Sequence, residues 1–309
     1  MRSIRTGVAL AAALGALAGG CGESSEPPPR EAAGGGDFPV TVQDATGRVT
    51  VERRPERIVS LSPSATETLF AVGAGSQVVA VDSASDHPPD APRTDLTAYE
   101  PNVEAIAGHR PDLVVLPADA PRDAIAGLRR LRLAVYAQGA PDDLEAAYDQ
   151  MRDVGLLTGR REAGAELARR IRARVDEAIA EAPRGERLKV FHEVDPELFS
   201  ASSDTFIGRI YARLGLRNVA DRAADRSGTP YPQLSAEAVV SADPDLIVLT
   251  DTECCGQTPA RVRRRAGWSA VSAVREGGVV SVDADVASRW GPRIPEFVEQ
   301  VVDAMERAG

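Results

Sequence analysis

Residues 102–116 and 235–249 are nearly the same passage written twice. The first copy reads Asn102-Val-Glu-Ala-Ile-Ala-Gly-His-Arg-Pro-Asp-Leu-Val-Val-Leu116 and the second Ser235-Ala-Glu-Ala-Val-Val-Ser-Ala-Asp-Pro-Asp-Leu-Ile-Val-Leu249. Each opens on a helix-capping residue, places a glutamate two positions on, continues as a small and apolar helix, and breaks at Pro-Asp before a short strand. The offset is 235 − 102 = 133 residues. Solenoid repeats recur every roughly 20–50 residues, so this period describes two similar lobes in one chain. Two lobes create a cleft, which is where small ligands bind.

At 309 residues the chain is long enough for two ordinary domains. The pattern around the repeat supports them. Short apolar strands at 57–60, 78–81, 113–116 and 133–136 alternate with helical segments, and the rhythm restarts at 188–191, 246–249 and 279–282. Such alternation predicts an α/β fold with mainly parallel sheets in both lobes. Phe38–Val51 reads as a hairpin ahead of the first lobe. Between the lobes, 142–186 is almost wholly helix-forming, with an interruption at Gly155–Gly159. Its 162–182 stretch predicts one long backbone helix of about 30 Å; the alternative is a helix packed on one lobe alone. The predicted organisation is 1–20 leader, 21–37 tether, 38–141 N-terminal lobe, 142–186 helical linker and 187–309 C-terminal lobe.

The leader has its own signature. Arg2 and Arg5 precede an alanine-rich apolar run that ends in Gly19-Gly20-Cys21. That is an n-region, a short h-region and a small-residue cleavage site. It resembles a bacterial lipoprotein signal in which Cys21 becomes the lipidated N-terminus; a plain secretory signal is the alternative. Residues 22–36 are polar and rich in Pro and Gly, a flexible tether unable to bury a core. With a net charge of −10, the chain offers no general basic field for nucleic acid. The two remaining cysteines, Cys254 and Cys255, are adjacent. A vicinal disulfide, free thiols and a soft-metal site are the open readings.

Enzyme motifs are missing. No Gly-x-Ser-x-Gly elbow, Gly-Lys-Ser/Thr phosphate loop or His-Glu-x-x-His pair occurs. We therefore expect no catalytic residue, metal centre or resident cofactor.

Four segments carry a specific likeness: Arg57-Ile-Val-Ser-Leu-Ser-Pro-Ser-Ala-Thr-Glu67, Pro111-Asp-Leu-Val-Val-Leu116, Tyr231-Pro-Gln-Leu-Ser-Ala-Glu237 and Gly291-Pro-Arg-Ile294. Through them residues 38–309 resemble the iron-chelate/vitamin B12 solute-binding proteins of ABC importers. The resemblance implies two α/β lobes joined by one long helix, a monomer, and a cargo passed to a permease dimer. It implies a small-molecule metal chelate as ligand, either a cobalt corrinoid or an iron chelate. A ferric siderophore or haem carrier is the alternative, as is a surface lipoprotein with a sensing or catalytic role on the same fold. By the same resemblance, Tyr99, Tyr231 and Ser64 correspond to cleft contacts, and Asp285 with Arg289 to a polar pair meeting the ligand's edge. Ala84 and Pro117 stand where corrinoid-binding members carry aromatics. Glu104 and Glu237 correspond to glutamates that dock on permease arginines, and Cys21 to the membrane anchor.

Purely structural roles are open to several of these residues. Loop tyrosines are common, an Asp285–Arg289 ion pair is itself a structural motif, and glutamate at a helix start is favoured by the helix dipole. His87 and Trp290 join the ligand-binding candidates by position, and His192 because it ends a strand of the second lobe, where α/β ligands sit.

Overall fold

The computed structural model describes residues 38–183 and 188–308. The leader, Cys21 and the 21–37 tether lie outside the described residues. The chain enters through a hairpin of β1 (Val40–Asp44) and β2 (Gly47–Val51), antiparallel, with Val40, Val42, Val49 and Val51 buried.

The first lobe runs β3 (Ile58–Ser60), α1 (Pro63–Ala71), β4 (Val78–Val81), α2 (Val103–Gly108), β5 (Leu113–Pro117), α3 (Arg122–Arg130) and β6 (Ala134–Gln138). Two helices follow, α4 (Leu144–Leu157) and α5 (Arg161–Glu181). The second lobe runs β7 (Lys189–Glu193), α6 (Phe206–Arg213), β8 (Arg217–Asn218), α7 (Asp221–Ser227), α8 (Ala236–Ala242) and β9 (Leu246–Leu249). It ends with α9 (Thr252–Cys255), α10 (Pro259–Arg263), α11 (Ser272–Glu276), β10 (Val279–Ser281), α12 (Ala284–Ser288) and α13 (Ile294–Ala308).

Both four-stranded sheets are parallel, with orders β4-β3-β5-β6 and β8-β7-β9-β10. Position for position, the strand order is the same. The repeat therefore extends to topology, and the α/β expectation of two similar lobes holds.

The repeated passage does the same mechanical work in each lobe. Asn102 and Ser235 cap α2 and α8, accepting from the backbone N–H of Ala105 and Ala238. Both helices end through a left-handed residue, Arg110 (φ 51) and Asp243 (φ 49). The aspartate of each Pro-Asp then fastens the neighbouring strand's entry. Asp112 accepts from the N–H groups of Glu56 and Arg57, and Asp245 from that of Lys189. Basic side chains complete the clasp: Arg57 donates to His109 O, and Lys189 Nζ to Ala242 O.

The helical stretch differs in detail from its expectation. Gly159 (φ +69) makes the break, while Gly155 stays inside α4. A Cβ on Gly155 would lie 2.7 Å from Gly164 Cα, so the two glycines let the backbones of α4 and α5 touch. Helix α4 packs on α1 and β1 and belongs with the first lobe. The connection between sheets is α5, the 21-residue backbone helix, which packs on both α4 and α13. Arg174 reaches Glu299 of α13 by two hydrogen bonds of 2.6 and 2.7 Å, and Arg172 pairs with Glu145 of α4. Among the described residues no helix is long and apolar enough to cross a membrane.

Candidate functional site

In open parallel sheets, ligands bind outside the carboxyl ends of the strands, where the strand order reverses direction. Here the reversals fall between β3 and β5, and between β7 and β9. The loops after those strands are residues 61–62 and 118–121 in the first lobe, and the segments starting at Val194 and Thr250 in the second.

The two carboxyl edges meet at Arg289, just beyond α12. Its guanidinium donates to Ala84 O at 2.9 Å and pairs with Asp86 at 2.8 Å and Glu67 at 3.3 Å, all in the first lobe. It also pairs with Asp285 of its own lobe at 2.6 Å. Arg293 adds two bonds to the same Glu67, at 2.7 and 3.0 Å. Arg289 is 8 % exposed and Glu67 3 %. Gly291 lies between these arginines, where a Cβ would come within 3.3 Å of Ser64 O. The backbones of the two lobes thus touch at this seam.

Charge around the seam is unequal. Two arginines face Glu67, Asp86 and Asp285. Burial pushes the Asp86 carboxyl up, but the hydrogen bond and charge of Arg289 outweigh it and hold it below its ordinary value. Asp285 goes the other way: burial raises it more than Arg289 lowers it.

The predicted residues divide into three groups. Tyr99 is 89 % exposed and Tyr231 48 %, each just before a copy of the repeated helix. In both, the tyrosine N–H donates to the hydroxyl of a threonine two residues earlier, Thr97 and Thr229, at 3.3 Å. The same turn thus presents an amphipathic ring on each lobe. His87 is also exposed, and with Glu67, Phe70, Pro88, Pro292 and Arg293 it lines a cavity of about 270 Å³ beside the seam.

Ser64, Asp285 and Arg289 form the second group and are engaged in the seam itself. Ser64 is 4 % exposed in the first turn of α1. The third group turns inward. His192 is 1 % exposed, with Nδ1 2.7 Å from the Tyr211 hydroxyl and Nε2 3.4 Å from Thr250 Oγ1. Burial lowers its pKa to about 4, so it is a neutral core imidazole and presents no free nitrogen to a ligand. Trp290 packs against the main core with its indole N–H buried. His192 was expected at the ligand; a strand end indicates position but not direction.

Glu104 and Glu237 are exposed in the first turns of α2 and α8. Cys254 and Cys255 form a vicinal disulfide in α9. No group of three or more His, Cys, Asp or Glu among the described residues is placed to hold a metal ion.

Likeness to known proteins decides the family. Residues 58–286 match the periplasmic binding protein family. The chain belongs to that family. A cobalamin-binding protein of Halobacterium salinarum is 32 % identical over 96 % of this chain and 82 % of that protein. An ABC transporter substrate-binding lipoprotein of Bacillus subtilis is 31 % identical over 87 % of this chain and 86 % of that one. The crystal structure of a periplasmic haem-binding protein from Roseiflexus sp. RS-1 superposes with a TM-score of 0.72 at 25 % identity, covering 82 % of this chain and 99 % of that one.

As a periplasmic binding protein, the chain has features that its sequence did not disclose. Glu67, Asp86 and Arg293 complete the seam; Glu67 and Arg293 stand inside the motif segments, but their partnership spans 226 positions. Val194, 37 % exposed, is an apolar side chain left open at the carboxyl end of β7. Beneath it, Glu193 is fully buried and held by Arg265 through bonds of 2.5 and 2.6 Å.

Proposed function

We propose that this periplasmic binding protein is an extracytoplasmic carrier that captures a corrinoid between its lobes and delivers it to an ABC permease dimer. The observation that carries the reading is the pair of exposed tyrosines, one per lobe in the same turn, in a molecule whose two carboxyl edges meet at the Arg289 seam. Aromatic faces suit a broad, partly apolar macrocycle. The seam refines the choice of cargo. Its two arginines are matched by three carboxylates, which suits a neutral, amide-fringed chelate better than an anionic one.

A haem or ferric-siderophore carrier is the second reading. It is favoured by His87, an exposed imidazole at the seam cavity and a fit ligand for iron. Titration with cyanocobalamin, haemin and a ferric catecholate, followed by tyrosine and tryptophan fluorescence, separates the two. Cyanocobalamin binding that weakens by about 1–3 kcal/mol in Tyr231→Ala, the range for a buried anchor, supports the corrinoid. A haemin absorbance shift abolished by His87→Ala replaces it with the haem reading.

Docking falls to Glu104 and Glu237, whose equal placement on two lobes suits a two-fold symmetric permease. Anchoring falls to a lipidated Cys21, as the name of the Bacillus subtilis relative suggests. Loss of the protein from the membrane fraction in Cys21→Ser tests that assignment.

A further inference from the structure

The vicinal disulfide has no structural task. Cross-links stabilise a fold by closing loops in the unfolded chain, and the gain grows with loop length. Cys254 and Cys255 are adjacent, so their bond closes no loop. Its location is more telling. Helix α9 follows β9 directly, and Val194 follows β7. These are the two strands that flank the reversal of the second sheet, so the disulfide and Val194 occupy the loops where an α/β sheet receives its ligand.

The loop is held firmly. Arg261 Nη1 donates to Cys255 O at 3.2 Å, and the N–H of Gln257 donates to Asp251 O. Gln257 Oε1 accepts from Arg265, which grips the buried Glu193. Cys254 is exposed and Cys255 half-buried, so a small reductant can reach the bond. Cys254 Sγ lies 3.7 Å from Asp251 O; as a thiol it has an acceptor waiting there. Asp251 itself is fully buried beside Glu193.

We propose that the Cys254–Cys255 disulfide is part of the ligand-facing wall of the second lobe, and that its reduction converts the carrier to a weaker-binding form. The inference rests on the carrier reading above. Closed, the bond presents an apolar sulfur face in the loop after β9, the strand paired with the one that Val194 follows. An external dithiol supplies two electrons and two protons, the S–S bond breaks, two cysteine thiols form, and the dithiol leaves as its own disulfide. The apolar face is then replaced by two S–H donors, one of them turned toward Asp251 O.

The test titrates oxidised full-length protein with cyanocobalamin, haemin and a ferric catecholate. It repeats the titration with the chelate that binds after reduction by a dithiol, removal of the dithiol under argon, and mapping of alkylated Cys254 and Cys255 by mass spectrometry. We expect Kd to rise by about five-fold or more on reduction and to recover on reoxidation. The Cys254→Ser/Cys255→Ser variant should bind at the reduced level and ignore redox treatment. Bound chelate should slow alkylation of the reduced pair. Equal affinity in both redox states, or both cysteines alkylated without any reductant, overturns the proposal while leaving the carrier reading intact. Failure of every chelate to bind the oxidised protein overturns the carrier reading and the wall with it.

Discussion

Around their carboxyl strand ends the two lobes bury different sets of polar groups. Under β3 and β6 the first lobe holds neutral hydroxyls and amides. Thr66 donates to Ser60 at 2.9 Å, Ser62 to Gln138 at 2.8 Å, and Gln138 to Gln150 at 3.0 Å. Under β7 and β9 the second lobe holds ionisable groups: His192, Glu193 and Asp251, with Arg265 reaching in from the rim. The topology is shared and the chemistry is not. Sheet order depends on strand patterning and connections, whereas the space under the strand ends accepts any polar set that satisfies itself. The first lobe's hydroxyl network reaches one buried carboxylate, Asp82, through Thr66 and Ser85, whereas the second lobe gathers three ionisable groups under its strand ends.

The second lobe depends most on a single buried charge pair. Arg265→Ala leaves Glu193 buried and unpaired and also strips the guanidinium from its place 4.6 Å over Trp268. A buried pair broken on one side costs about 3–5 kcal/mol, which urea denaturation will read as a lowered midpoint. Little or no destabilisation would mean that water reaches Glu193 and that the second lobe's buried charge is only nominal.

Acidity separates the lobes next. His192 has a folded pKa of about 4 against an ordinary 6.5. The unfolded chain takes that proton first, so its contribution to stability is lost as pH falls through this window. Asp251 is raised from 3.8 to about 7, by burial first and by Glu193 next. The folded chain holds that proton, so its contribution is lost as pH rises. Between about pH 4 and 6.5 the two slopes oppose each other. Asp251→Asn should unmask an acid-side loss approaching about 1.4 kcal/mol per pH unit, and His192→Gln a slope of opposite sign. Urea midpoints at several pH values across that window give both. Parallel pH profiles for the wild type and both variants would remove the distinction between the lobes.

The amide pair of the first lobe, which carries no ionisable group, should give a smaller response. Gln138→Ala removes the acceptor of Ser62 and the donor to Gln150. Leaving one buried hydroxyl unsatisfied costs about 1–3 kcal/mol. The same loss at each pH sharpens the contrast with the second lobe.

Much of this arrangement was legible in the sequence because it is periodic or motif-borne. The capped helix, the break and the strand recur at an offset of 133 residues, and the exposed Tyr99 and Tyr231 at one residue less, 132. Asp112 and Asp245 were visible in the repeat too, but as punctuation. Their work, holding the entry of β3 and β7, lies between residues 55 or 56 positions apart. β8 carries no strand signature: Arg217-Asn218 has no apolar alternation, and only its neighbour β7 makes it a strand. His192 ends a strand as expected, but its direction is set by Tyr211, across the core on another element. Arg289 looked like a donor fork for ligand. Its pairing with Asp285 was open in the sequence, but the partners from the first lobe are over 200 positions upstream and no local pattern announces them.

The smallest stability effect comes from the most symmetric pair, and there the comparison serves function. Glu104 and Glu237 hold the same place after Asn102 and Ser235, both exposed. A carboxylate in a helix's first turn contributes about 0.3–1 kcal/mol when exposed, so Glu104→Gln and Glu237→Gln should each barely move the urea midpoint, and by equal amounts. Charge reversal is a different experiment. Glu104→Arg with Glu237→Arg should leave the fold and chelate affinity intact, yet abolish chelate uptake in cells or vesicles that carry the cognate permease. Either single reversal should reduce uptake to a similar degree, because a two-fold permease meets one glutamate on each side. Normal uptake by the double reversal would reduce both residues to helix starters. A defect confined to one of them would show that the two lobes, alike in strand order, do not meet the permease alike.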